Sequence, residues 1–254
     1  MRQGGRADGA AGEVSALKGA RFSWTSPEIG AHYGLGPGKI AIHLALEGAI
    51  RDASGAVTGI RNLGGAGAVF DATRTGPASP LSDGMLDFRG EAATHFATAL
   101  PADLNDVTLM SAFRLADFAV ASRWLGANGL EFRSNPSAQG WFIQIWSNLG
   151  GGGGAGNIIG SRLPNIDQVV IAEHAFAAGR VVTRVNGVQI GSSPIPSSVP
   201  QPGPLPLQFV GKGSGSNGFR GLIGDVLGIT HGPNLAGVEA VARRTLAAKF
   251  GVAL

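Results

Sequence analysis

The stretch Arg180-Val-Val-Thr-Arg-Val-Asn-Gly-Val-Gln-Ile190 reads as two short strands joined by a tight turn. Val181, Val182, Val185, Val188 and Ile190 are β-branched, which suits the pleated, half-buried surface of a sheet. Asn186-Gly187 stands between the two runs. A two-residue hairpin turn needs φ > 0 at both positions, and Asn and Gly reach that region at the least steric cost. The spacing therefore predicts an antiparallel hairpin over residues 180–190, and the rest of the chain is read outward from it.

Similar runs recur in both directions. Upstream lie Gln168–Ala172, Gly140–Ser147, Gly129–Arg133, Asp106–Leu115, His95–Leu100, Met85–Phe88, Val57–Leu63 and Lys39–Glu47. Downstream lie Leu205–Val210 and Phe219–Thr230. Several alternate with period two, so one face is apolar. Val107, Leu109, Ser111, Phe113 and Leu115 share a face, as do Trp141, Ile143 and Ile145, with Phe142, Gln144 and Trp146 opposite. Ile40, Ile42, Leu44 and Leu46 are placed together in the same way. Between the runs fall most of the 42 Gly and 14 Pro, which break helices and build turns. Gly150–Gly154 reads as an exposed loop. One segment differs: Asn234–Gly251 is Ala-rich, carries an apolar stripe of Leu235, Val238, Val241, Ala242 and Leu246, and ends on Lys249 and Gly251. It reads as a helix over 235–250 with Asn234 as its cap.

Composition sets the limits. Hydrophobic residues make up 44% of the 254, and charged residues only 15%, against about 25% in ordinary domains. A charged disordered chain is excluded. The basic residues are scattered, so no stripe suited to nucleic acid exists. With no cysteine, a disulfide framework and a Cys-ligated zinc site are excluded. No stretch approaches the ~20 apolar residues of a spanning helix, and no membrane insertion is expected. Residues 1–14 lack the apolar segment of a standard secretory signal. Residues 1–38 form an irregular lead-in carrying Phe22, Trp24, Ile29 and Tyr33, expected to attach a domain spanning 39–254 to partner proteins or to further copies.

The order of these pieces resembles the concanavalin-A-like, laminin-G-like jelly rolls. The resemblance rests on Asp52-Ala-Ser-Gly55, Gly84-Met-Leu-Asp-Phe-Arg-Gly90, Val107–Phe113, Val185-Asn-Gly-Val188, Phe219–Leu227 and a terminal helix near Val238–Val252. It implies an all-β, two-sheet antiparallel jelly-roll sandwich closed by a short C-terminal helix. It also implies carbohydrate binding on the concave face or rim, as in many members; calcium is common in the family and Asp52, Asp71, Asp83 and Asp87 could contribute ligands, but no local calcium motif is present, structural turns explain them better, and no cofactor is expected.

Glycoside hydrolysis needs two carboxylates flanking one bond. On this fold they come from alternating acidic positions of one strand. Glu91, Glu131, Glu173 and Asp225 stand isolated, so no enzyme activity is expected. His32, His43, His95, His174 and His231 show no metal-ligand spacing. Sugars stack on Trp and Tyr and take hydrogen bonds from amides and guanidiniums. Trp146 with Gln144 and Asn148, and Trp124 with Arg123 and Asn128, are therefore the expected ligand residues. The expected role is a surface protein of a phage-like particle, made in the cytoplasm without a signal peptide, oligomeric, and adhering to cell-surface polysaccharide. The alternatives are a purely structural subunit and a polysaccharide-degrading enzyme.

Overall fold

The computed structural model describes residues 27–78, 80–89, 94–119, 121–127, 130–137, 140–147, 163–165, 167–195, 205–209 and 218–254. In chain order the strands are β1 (Ile40–Arg51), β2 (Val57–Asn62), β3 (Ala72–Thr75), β4 (Leu81–Ser82), β5 (Met85–Asp87), β6 (His95–Leu100), β7 (Asp106–Leu115), β8 (Ser122–Ala127), β9 (Leu130–Ser137), β10 (Gly140–Ser147), β11 (Val170–Ala177), β12 (Arg180–Val185), β13 (Val188–Pro194), β14 (Leu205–Phe209) and β15 (Gly221–Thr230). Helix α1 (Pro27–Gly30) precedes them and α2 (Leu235–Phe250) follows. The pairings between these strands are antiparallel.

Hydrogen bonds run along one path, β10-β9-β8-β14-β6-β3-β2-β1-β15-β7-β11-β12-β13, with β5 added on β15 and β4 on β5. The path doubles back at β1. The first half of that strand pairs with β15, Leu44 opposite Val226, while its second half pairs with β2, Ala49 opposite Ile60. The register slips between Leu44 and Ala49. Gly48 sits in the slip, and a Cβ there would lie 2.5 Å from the Arg61 carbonyl oxygen, so only glycine admits so close an approach. The result is a front layer (β10 to β3) facing a back layer (β1, β15 and on to β13).

The core lies between the layers. Phe113 of β7 stacks on Trp124 of β8, ring centroids 4.3 Å apart, and Phe132 of β9 meets Phe176 of β11 edge-on at 6.0 Å. Ile42, Leu44, Leu109, Ile223 and Val226 from the back close on Leu125, Ile143, Ile145 and Leu207 from the front. Each such side chain contributes roughly 1.5–3 kcal/mol on leaving water. The faces expected for β7 and for Trp141, Ile143 and Ile145 are the ones observed. In β1 a register shift between Ile40 and Ile42 separates two residues placed together by the alternation. Ile42 enters this core, while Ile40 enters a second one on the outside of the back layer.

That second core packs α2 onto the sheet. Ile40, Met110, Ile171, Leu227 and Ile229 meet Val238, Ala242, Leu246 and Ala247. Asn234 occupies the helix start with φ 68° but makes no side-chain capping bond, so its service is the left-handed turn rather than the cap expected of it. Gly251 closes the helix at φ 65°, its N–H donating to the Ala247 carbonyl. The Asn186-Gly187 turn has φ of 49° and 81°, the hairpin geometry read from the sequence. Ile29 of α1 is fully buried in the second core, and Tyr33 packs beside it. Residues 27–38 are thus part of the fold. This corrects the expectation that Ile29 and Tyr33 face a partner protein, because their contacts are made within the chain. Phe22 and Trp24 lie outside the described residues.

Polar groups tie the same face together. The Tyr33 hydroxyl lies 2.7 Å from His43 Nδ1, and His43 Nε2 lies 3.0 Å from Asp225 Oδ2. Lys249 Nζ donates to Asp225 Oδ1 at 2.7 Å and to Glu47 Oε2 at 2.9 Å. Nearby, Arg243 of α2 holds the fully buried Glu173 with two donors, Nη2 at 2.7 Å from Oε2.

Candidate functional site

The outer face of the front layer carries the polar residues that the core rejects. In β8, β9 and β10 the core takes Leu125, Leu130, Phe132, Trp141, Ile143 and Ile145. Antiparallel pairing then sets Arg123 opposite Arg133, and Arg133 opposite Gln144, on the other side of the sheet. The next register position pairs Glu131 with Trp146 and with Gly126. Beyond β8, Gln208 of β14 pairs with Gly126 and Ala97, so β14 and β6 continue the surface, with His95 of β6 on the same face as Ala97.

These side chains are fixed by one another. Arg123 Nη1 donates to Glu131 Oε1 in a short contact. Arg133 Nη1 lies 3.8 Å from Glu131 Oε2, and Arg133 Nε donates to Gln144 Oε1 at 3.1 Å. Gln144 is only 6% exposed, and this bond answers the cost of burying its amide. Burial pulls the Arg133 guanidinium below its ordinary pKa, with Arg123 adding to the effect and Glu131 opposing it. His95 is lowered by burial first and by Arg123 second. Guanidiniums, an amide and a carboxylate so arranged present directed donors and acceptors to a hydroxylated ligand.

Of the expected ligand residues, the structure brings Gln144 and Arg123 onto this face together. Glu131, read from the sequence as an isolated acid, is the centre of the cluster. Arg133, missed in the sequence, completes it; its spacing two residues after Glu131 in a strand was the available signal. Trp124 is elsewhere. It is 1% exposed in the inter-layer core: with Arg123 on the outer face, alternation turns Trp124 inward, and the bulge between Arg123 and Leu125 brings Leu125 in after it, which removes Trp124 as a surface for sugar stacking. For Trp146 the backbone register alone is described. Asn128, Asn148 and the Gly150–Gly154 loop lie outside the described residues.

The aspartates considered for calcium each have a local contact. Asp52 accepts from the backbone of Ser54 and Ala56, Asp71 accepts from Asn62 N–H, Asp83 pairs with Arg114, and Asp87 pairs with Arg89. Among the described residues no helix is long and apolar enough to cross a membrane.

No known family model matches the sequence, and no curated protein sequence matches it. Solved structures do share the fold. Domain 4 of AbnA, an extracellular arabinanase from Geobacillus stearothermophilus, solved in complex with arabinotriose, is similar over 82% of this chain and 100% of that one, with TM-score 0.56 and 16% identity. A Trypanosoma rangeli sialidase is similar over 82% of this chain and 32% of its own length, with TM-score 0.53 and 11% identity. The binding domain of botulinum neurotoxin DC, in complex with rat synaptotagmin II, is similar over 81% and 51%, with TM-score 0.52 and 7% identity. The chain thus spans all of the arabinanase domain but about a third of the sialidase chain and half of the toxin domain. At these identities the likeness carries the fold: a jelly-roll β-sandwich, as the sequence implied. It also corrects one expectation. The neighbours belong to an arabinanase and a sialidase, so the conclusion that the chain is no enzyme does not stand. The lack of alternating carboxylates on one strand excludes a single catalytic geometry and nothing wider.

Proposed function

We propose that this chain recognises carbohydrate on the outer face of its front layer. The observation that carries the reading is the Arg123–Glu131–Arg133–Gln144 constellation. These four side chains belong to neither apolar core and bond to one another on the outer side of the front sheet, Gln144 buried and Arg123, Glu131 and Arg133 partly exposed. Donors and acceptors already fixed lose little freedom when a ligand arrives. The arabinotriose complex of the similarly folded arabinanase domain supports the reading. A single shallow site of this kind binds weakly, and display in several copies, as on a particle surface, raises the avidity; that setting is part of the proposal. The test is affinity electrophoresis of the full chain through a panel of neutral and acidic polysaccharides. At least one should retard it, and Arg123→Ala should lessen the retardation while the melting transition stays cooperative. A chain that runs freely through every gel overturns the proposal.

A further inference from the structure

The charge on this face is lopsided. In the described strands β8, β9, β10 and β14 the charged side chains are Arg123, Arg133 and one acid, Glu131. On this face β6 adds His95 and no acid, while Arg74 of β3 stands opposite Phe96 on the core side. On the ligand face itself two guanidiniums converge on a single carboxylate, Arg123 from β8 and Arg133 from β9, which are directly paired in the sheet. Like charges placed directly opposite in a sheet are unfavourable by themselves. Two guanidinium charges meet one carboxylate charge, so the cluster of Arg123, Glu131 and Arg133 carries one net positive charge.

We infer that the ligand is an acidic polysaccharide whose anionic group is seated between Arg123 and Arg133, sharing them with Glu131. This rests on the carbohydrate reading above and names its substrate class. Planar, multi-donor guanidiniums suit carboxylate and sulfate alike. In this arrangement Glu131 is an internal competitor of the ligand. It holds both arginines in place in the free protein and yields part of their hydrogen-bonding capacity when an external anion arrives.

The test pairs two polymers with one backbone, polygalacturonate and its full methyl ester, with dextran sulfate and neutral dextran as the sulfate arm. The full chain should bind polygalacturonate or dextran sulfate but not the uncharged counterpart, with affinity falling as salt rises. Arg123→Gln should weaken the binding about tenfold or more, the worth of one charged hydrogen bond. Glu131→Gln should strengthen it, a change that a folding defect would not produce. Equal binding of the methyl ester or of neutral dextran, or weaker binding by Glu131→Gln, overturns the acidic assignment and leaves carbohydrate recognition standing. Failure of every charged and neutral polymer to bind overturns both.

Discussion

At the scale of single residues, His174 is an ionisable group fully buried between the two layers. His174 of β11 lies between Phe132, at 4.6 Å between ring centroids, and Trp124, at 6.4 Å, with Nδ1 3.1 Å from the Thr183 hydroxyl. Burial lowers its pKa to about 3, whereas the unfolded chain titrates near 6.5. The unfolded state therefore takes up a proton that the folded state refuses. Stability is complete above about pH 6.5 and is lost as pH falls toward 3, at about 1.4 kcal/mol per unit from this residue. Denaturant midpoints measured across that window should fall more steeply for the parent chain than for His174→Gln; parallel profiles would show that the ring is not buried neutral. Little of this was legible beforehand. Alternation along β11 gives His174 a face, but which face is core depends on partners distant in sequence. Trp124 shows the same limit from the other side, since a bulge after Arg123 sends two consecutive residues, Trp124 and Leu125, into the core, which alternation does not foresee.

At the scale of elements, signals confined to a few residues were read well. The Asn186-Gly187 turn and the helix ending at Gly251 depend on local dihedral preference alone. Strand β8 went unread because Ser122–Ala127 is short and ends in small residues, so its identity comes from its neighbours β9 and β14. The contact of α2 with the sheet was also out of reach, because it turns on a pair 70 positions apart: Arg243 and the buried Glu173. Removing one partner of such a pair leaves an uncompensated charge. Arg243→Ala should destabilise the chain by about 3 kcal/mol in urea titration, and Arg243→Ala with Glu173→Gln should recover a large part of that. A loss below about 0.5 kcal/mol would place the pair among the exposed ion pairs of little weight.

At the scale of the whole molecule, the two-layer order was legible from the succession of strands, and its extent was not. Nothing local in residues 27–38 marks them as part of the domain; Ile29 is an isolated apolar residue until α2 and the outer face of the back layer enclose it. Its loss should therefore be felt globally. Ile29→Ala should cost about 3 kcal/mol as a core truncation, lowering the melting temperature by roughly 6–12 °C, whereas an unchanged midpoint would return this segment to the status of a detachable arm.

The chain of groups from Tyr33 through His43 and Asp225 to Lys249 joins an early segment to the last helix on the face turned away from Arg123 and Arg133. The domain therefore has a handle and a palm. Whatever is fused to either end of the folded unit pulls on the handle, and the palm, the face of Arg123 and Arg133, takes no part in that connection.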